Sequence, residues 1–105
     1  MSQIKKGIIM PALNDTEIRD KLDVHLGWSY SENAIHKKFT FESFMPGIGF
    51  VNQIAEAAEK AQHHPDITIN YNAISISLST HSEGGVTAKD FALAGQIDAI
   101  AKGAK

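Results

Sequence analysis

The chain has 105 residues, a length that fits one domain around a single core. It holds no cysteine and carries a formal net charge of −2, which excludes disulfides, thiol nucleophiles and cysteine-ligated metals and leaves no basic stripe for nucleic acid. A hydrophobic fraction of 43% is that of a folded globular protein.

Residues 1–12 read as an irregular N-terminal arm ahead of a single domain over 13–105. The apolar run Ile8-Ile9-Met10 is cut by Pro11, so it is too short for a signal peptide and far too short to span a bilayer. The expectation is a cytoplasmic protein with no membrane partner. Asn14-Asp15-Thr16-Glu17 opens a helix, with Asn14 as cap and Glu17 reaching back to it. Ile18 and Leu22 follow at helical spacing, giving a helix over about 15–25 that ends near Gly27.

Trp28 to Glu32 and Ile35 to Phe41 alternate apolar and polar, with Asn33-Ala34 between them, which predicts a hairpin. Ser43 is a candidate cap for the next helix, which starts at Phe44 or Gly47; Phe50, Ile54, Ala57 or Ala58, and Ala61 form its apolar stripe. Pro46 is tolerable in a first helical turn. Pro65 pushes His64 into extended backbone, so the helix stops near Gln62 or His63. Ile67 to Tyr71 is a strand, Asn72-Ala73 a turn, and Ile74 to Thr80 a strand with apolar even positions and serine at 75, 77 and 79. Glu83-Gly84-Gly85 is a loop, and Thr87 to Asp90 open a last helix lined by Leu93, Ile97 and Ile100. The order α-β-β-α-β-β-α predicts an α+β fold: a four-stranded antiparallel sheet with three helices packed on one face.

Three of the five histidines lie between residues 59 and 90. Imidazole is the side chain whose ordinary pKa lies nearest neutrality, so such a cluster is the first place to look for acid–base work. His63 and His64 sit at a helix end, where one histidine alone would read as a C-cap; two before a proline are aimed by it. His81 closes the serine-striped strand, and the chain must bend near Thr80 to Ser82 for it to meet His63. Asp90 has two readings, a capping partner of Thr87 or a carboxylate that orients an imidazole. Ser79, Thr80 and Ser82 are either a solvated strand edge or groups that hold a polar ring. Three histidines and a carboxylate could bind zinc, but the helical His-x-x-x-His spacing is absent and adjacent histidines diverge, so no metal is assigned. No nucleophile-elbow sequence and no phosphate-loop signature are present.

Glu59, His63-His64-Pro65, Tyr71, His81 and Asp90 together resemble, without a gap, the pattern of the pterin-4a-carbinolamine dehydratase family. The similarity extends over about residues 13–101, through Gly27-Trp28, the Phe39 to Phe50 region and Phe91 to Ala94; Pro46 and Gly47 depart from the family pattern. The resemblance implies dehydration of a 4a-hydroxytetrahydropterin to quinonoid dihydropterin and water, recycling the cofactor of an aromatic amino acid hydroxylase. It implies no metal or organic cofactor, a homodimer or homotetramer, and that hydroxylase as a partner. It makes His63 and His81 the acid–base pair, lets His64 bind or assist, and has Asp90 steady His81. Gln62, Pro65, Ser79, Thr80 and Ser82 become substrate contacts. The alternative is a non-catalytic dimerisation or assembly partner on the same fold, as some animal members bind a homeodomain transcription factor.

Overall fold

Three helices and four strands follow the expected order along residues 11–103, the part of the chain that the computed structural model describes. The arm assigned to residues 1–12 falls, except for Pro11 and Ala12, outside the described residues.

Helix α1 spans Asp15–Leu22. Its capping box forms as expected: Asn14 Oδ1 accepts from the Glu17 N–H at 2.8 Å, and Glu17 Oε1 accepts from the Asn14 N–H at 2.9 Å. The helix stops three residues short of the predicted end. His25 Nδ1–H donates to the Lys21 carbonyl at 2.8 Å, taking the acceptor that the His25 N–H would need to continue the helix. Tight turns follow to Gly27, whose φ of 91° suits glycine.

Strands β1 (Ser29–Ser31) and β2 (Ala34–Thr40) form the first hairpin. Its turn is Glu32-Asn33, one residue earlier than Asn33-Ala34, because Ala34 is buried and pairs with Ser31. Both turn residues take positive φ, 51° and 63°, as a two-residue hairpin loop of type I′ requires.

Helix α2 runs from Phe44 to Ala61 and buries Gly47, Phe50, Ile54 and Ala58, one stripe at spacings of three and four. Ser43 stands at the cap position but its side chain makes no capping bond. Pro46 falls in the first turn, where a missing N–H leaves nothing unpaired. Gly47 faces the sheet: a Cβ there would lie 3.2 Å from Ile74 Cδ1, so a glycine lets the helix approach.

Strands β3 (Asp66–Asn70) and β4 (Ala73–Leu78) make the second hairpin, turning at Tyr71-Asn72 rather than Asn72-Ala73. Asn72 O accepts from the Phe41 N–H at 2.9 Å, and Asn72 Nδ2 donates to Phe41 O at 2.7 Å. These bonds clip the second hairpin to the end of the first.

The sheet is wholly antiparallel in the order β1-β2-β4-β3. Ile35 pairs with Leu78, Phe39 with Ile74 and Ile67 with Ile76, so these side chains share the helix-covered face. Ser75 and Ser77 take the open face. Helix α3, Ala88–Gly103, packs against α2 and buries Phe91, Leu93, Ala94 and Ile97 in the same core as the sheet's apolar residues. Phe50 sits fully buried with its ring 4.9 Å from Phe39 and 5.0 Å from Phe41. Burying a side chain of that size stabilises by roughly 1.5–3 kcal/mol. Asp98 of α3 ties the helix layer to the first hairpin, accepting from Trp28 Nε1–H at 3.0 Å and from Lys37 Nζ at 2.8 Å.

Candidate active site

The end of α2 decides where the two adjacent histidines go. Gln62 adopts the left-handed conformation (φ 52°, ψ 43°), its N–H donates to Glu59 O, and the His63 N–H donates to Ala58 O. That is a Schellman termination, and Pro65 then commits the chain to β3. The two histidine side chains diverge. His63 turns inward, with 11% of its side chain exposed; His64 turns outward, with 58% exposed.

His63 Nε2–H donates to Asp90 Oδ1 at 2.5 Å. Asp90 lies in the first turn of α3 and is wholly buried. Its other oxygen accepts from Thr80 Oγ1–H and from the Thr87 N–H, each at 2.9 Å. Both readings of Asp90 therefore hold at once: it caps α3 and orients a histidine. Because Thr80 gives its proton to the carboxylate, Thr87 is the donor in the 2.9 Å bond between the two threonine hydroxyls. The histidine that Asp90 holds is His63, not His81. The first turn of α3 packs against the end of α2 inside the protein, whereas His81 lies beyond Thr80 on the surface.

The serine-striped strand ends at Leu78, two residues before the predicted Thr80. Thr80 instead bridges to Gly85, and His81–Glu83 form a single 3₁₀ turn, which supplies the bend that the sequence called for. The turn leaves His81 on the open side of the sheet. There a cavity of about 400 Å³ is lined by His36, His64, Asp66, Ser77, Ser79 and His81, with the tip of the first hairpin. Ser79 Oγ–H donates to Asn33 O at 2.8 Å and holds that tip in place. His64 Nε2 is 2.6 Å from Glu59 Oε2, an exposed pair that orients the ring.

The cavity thus brings together His64, His81 and Ser79. His63 stands behind it on Asp90, and Thr80 is buried on the same carboxylate. Gln62, Pro65 and Ser82 do not line it; the Gln62 side chain donates to Glu59 O at 2.7 Å. His36, Asp66 and Ser77 line it and were not singled out in the sequence. Ser77 could have been found from the serine alternation; His36 needed the β2–β4 register. A larger depression of about 630 Å³, near Val24, Leu26, Phe41 and Asp98, contains none of the motif residues. Among the described residues no three of His, Cys, Asp or Glu are arranged to hold a metal ion, and no helix is long and apolar enough to cross a membrane.

An α+β sheet protein with a buried carboxylate–histidine pair beside a polar cavity is the class that this fold and site define. The family model for pterin 4 alpha carbinolamine dehydratase matches residues 11–100, and the chain belongs to that family. A relative from Picosynechococcus sp. is 48% identical over 88 residues, covering 84% of this chain and 96% of its own. One from Roseiflexus castenholzii is 50% identical over 88 residues, covering 84% and 95%. Both are provisionally named pterin-4-alpha-carbinolamine dehydratase. Among solved structures, a transcriptional coactivator/pterin dehydratase from Brucella melitensis superposes with a TM-score of 0.83 at 38% identity, over 86% of this chain and 98% of that one. A pterin dehydratase-like protein described as a RuBisCO assembly factor in the alpha-carboxysome gives 0.62 at 25% identity, over 73% and 92%.

Proposed function

We propose that the protein dehydrates a 4a-hydroxytetrahydropterin to quinonoid dihydropterin and water, with histidines moving the protons. In this elimination the C4a–O bond breaks and the N5=C4a bond forms. One group delivers a proton to the departing hydroxyl and another takes the proton from N5. Each positioned acid or base contributes roughly 10²–10⁴-fold.

The observation that carries the reading is the His63–Asp90 pair. Burying a carboxylate is costly unless its oxygens are bonded, and Asp90 is fully buried with three donors. Capping α3 uses only one of them. The bond to His63 commits Nε2–H and leaves Nδ1 as the ring atom that exchanges a proton. We assign His63 and His81 to the acid–base pair, with Asp90 orienting His63. His64, on the cavity wall and held by Glu59, binds the pterin and assists. The cofactor-recycling role for an aromatic amino acid hydroxylase, a cytoplasmic setting and a homodimer or homotetramer belong to the same proposal. The test is an absorbance assay with 4a-hydroxytetrahydropterin generated in situ. Turnover by wild type that collapses in folded His63→Ala and His81→Ala supports the assignment; no acceleration by folded wild type removes it.

A second reading, a non-catalytic assembly partner, is favoured by the likeness to the RuBisCO assembly factor. It has no need of the His63–Asp90 pair, so it gains ground only if the assay shows no turnover.

A further inference from the structure

We propose that His36 is a further substrate-contacting residue of the cavity, one that selects pterins whose 6-substituent carries a hydroxyl. The inference rests on the dehydratase reading and deepens it.

The open face of the sheet carries a cross-strand row. Ser29 of β1 pairs with His36 of β2, His36 with Ser77 of β4, and Ser77 with Asp66 of β3. Alternation places all four on the face that no helix covers. His36, Ser77 and Asp66 line the cavity that also holds His64 and His81. The same three residues line a second depression, about 640 Å³, which continues along the open face toward Ser75 and Thr68. His36 therefore stands at the junction of two hollows. A bicyclic ring held between His64 and His81 with its 6-substituent toward this junction would run that substituent along the row.

The chemistry at the junction is that of a hydrogen-bond acceptor. His36 Nε2 lies 3.0 Å from the Ser31 carbonyl, and a carbonyl only accepts, so Nε2 carries the proton. In the neutral ring Nδ1 is then the acceptor, suited to a ligand O–H. The hairpin bond also holds the ring against β1, so little side-chain freedom is lost on binding. Ser77 offers a hydroxyl beside it, and nothing apolar interrupts the row.

The test compares two substrates, a 6-(dihydroxypropyl) and a 6,7-dimethyl 4a-hydroxytetrahydropterin, in wild type and His36→Phe. Phenylalanine keeps a flat ring and favours a strand, so the fold is retained. The expected result is a KM about fivefold higher for the dihydroxypropyl substrate, the size of one lost hydrogen bond, with kcat unchanged. The dimethyl substrate should show the same KM as in wild type. His36→Gln, which restores an amide acceptor, should recover part of the loss and serves as the second variant. An equal rise for both substrates, or no rise for either, overturns the proposal while wild-type turnover leaves the dehydratase reading standing. Absence of turnover by wild type with either substrate removes both.

Discussion

The Asp90 carboxylate lies 2.5 Å from Nε2 of His63 and is wholly buried, while the imidazole that it holds keeps only 11% of its surface exposed. One carboxylate therefore fixes a tautomer, caps a helix and anchors Thr80, the residue immediately before His81. Through it the two proposed acid–base histidines share one rigid support. Changes at Asp90 should consequently be felt at both.

Asp90→Ala is expected to cost about 2–4 kcal/mol of stability, combining a lost helix cap with buried donors left unpaired. Asp90→Asn should cost less, because an amide still accepts from the Thr87 N–H. It should nonetheless lower kcat at least about tenfold, since the charge that orients His63 is gone. Urea unfolding and the pterin assay separate the two effects. An Asp90→Asn variant with wild-type kcat would reduce the carboxylate to a cap.

His63→Ala and His81→Ala should each lower kcat by about 10²–10⁴-fold. If both act in one elimination, the double variant should be little worse than the more damaged single variant. His81 is exposed, so its removal should leave the unfolding midpoint close to wild type. Multiplicative losses in the double variant would mean that the two histidines act in separate steps.

Gln62 holds a left-handed backbone that costs a non-glycine residue about 1 kcal/mol. Gln62→Gly should raise stability by about 0.5–1 kcal/mol in urea, less what glycine adds to the unfolded chain's freedom. Because the Gln62 side chain is turned to Glu59 O, the KM for pterin should stay at its wild-type value. A raised KM would return Gln62 to the substrate contacts.

Phe50→Ala should destabilise the protein by about 3–5 kcal/mol. The ring is fully buried between Phe39 and Phe41, and the hole left at that helix–sheet contact has little room to collapse against Gly47. Thermal unfolding followed by circular dichroism measures this. A cost below about 1 kcal/mol would mean that Phe39 and Phe41 close over the gap.

Much of the architecture was legible because its signals are local. The Asn14–Glu17 box, the apolar stripe through Phe50, Ile54 and Ala58, and the serine alternation of β4 each fit within a few turns or one strand. The boundaries that slipped were decided by contacts with neighbours. His25 ends α1 by competing for the Lys21 carbonyl, and both hairpins turn one residue early because strand register outweighs turn propensity. In the site, the residue types and spacing were readable but the pairing of Asp90 was not. Whether it meets His63 or His81 depends on how α3 docks against α2, and local patterns carry no such information. His36 was hidden for the same reason: it reaches the cavity only through the pairing of β2 with β4.

The strand order β1-β2-β4-β3 also has a kinetic consequence. Each hairpin pairs strands separated by a two-residue turn, so each closes locally and fast. The central pair joins residue 35 to residue 78 and residue 40 to residue 73, with all of α2 between them. That non-local closure carries most of the loop entropy, and it also assembles the cavity, since His36 and Ser77 belong to opposite sides of it. The pairing that closes this long loop is thus also the one that forms the pocket. The amides of β2 and β4 should exchange with solvent only through global unfolding, long after those of α1 and the β1 edge.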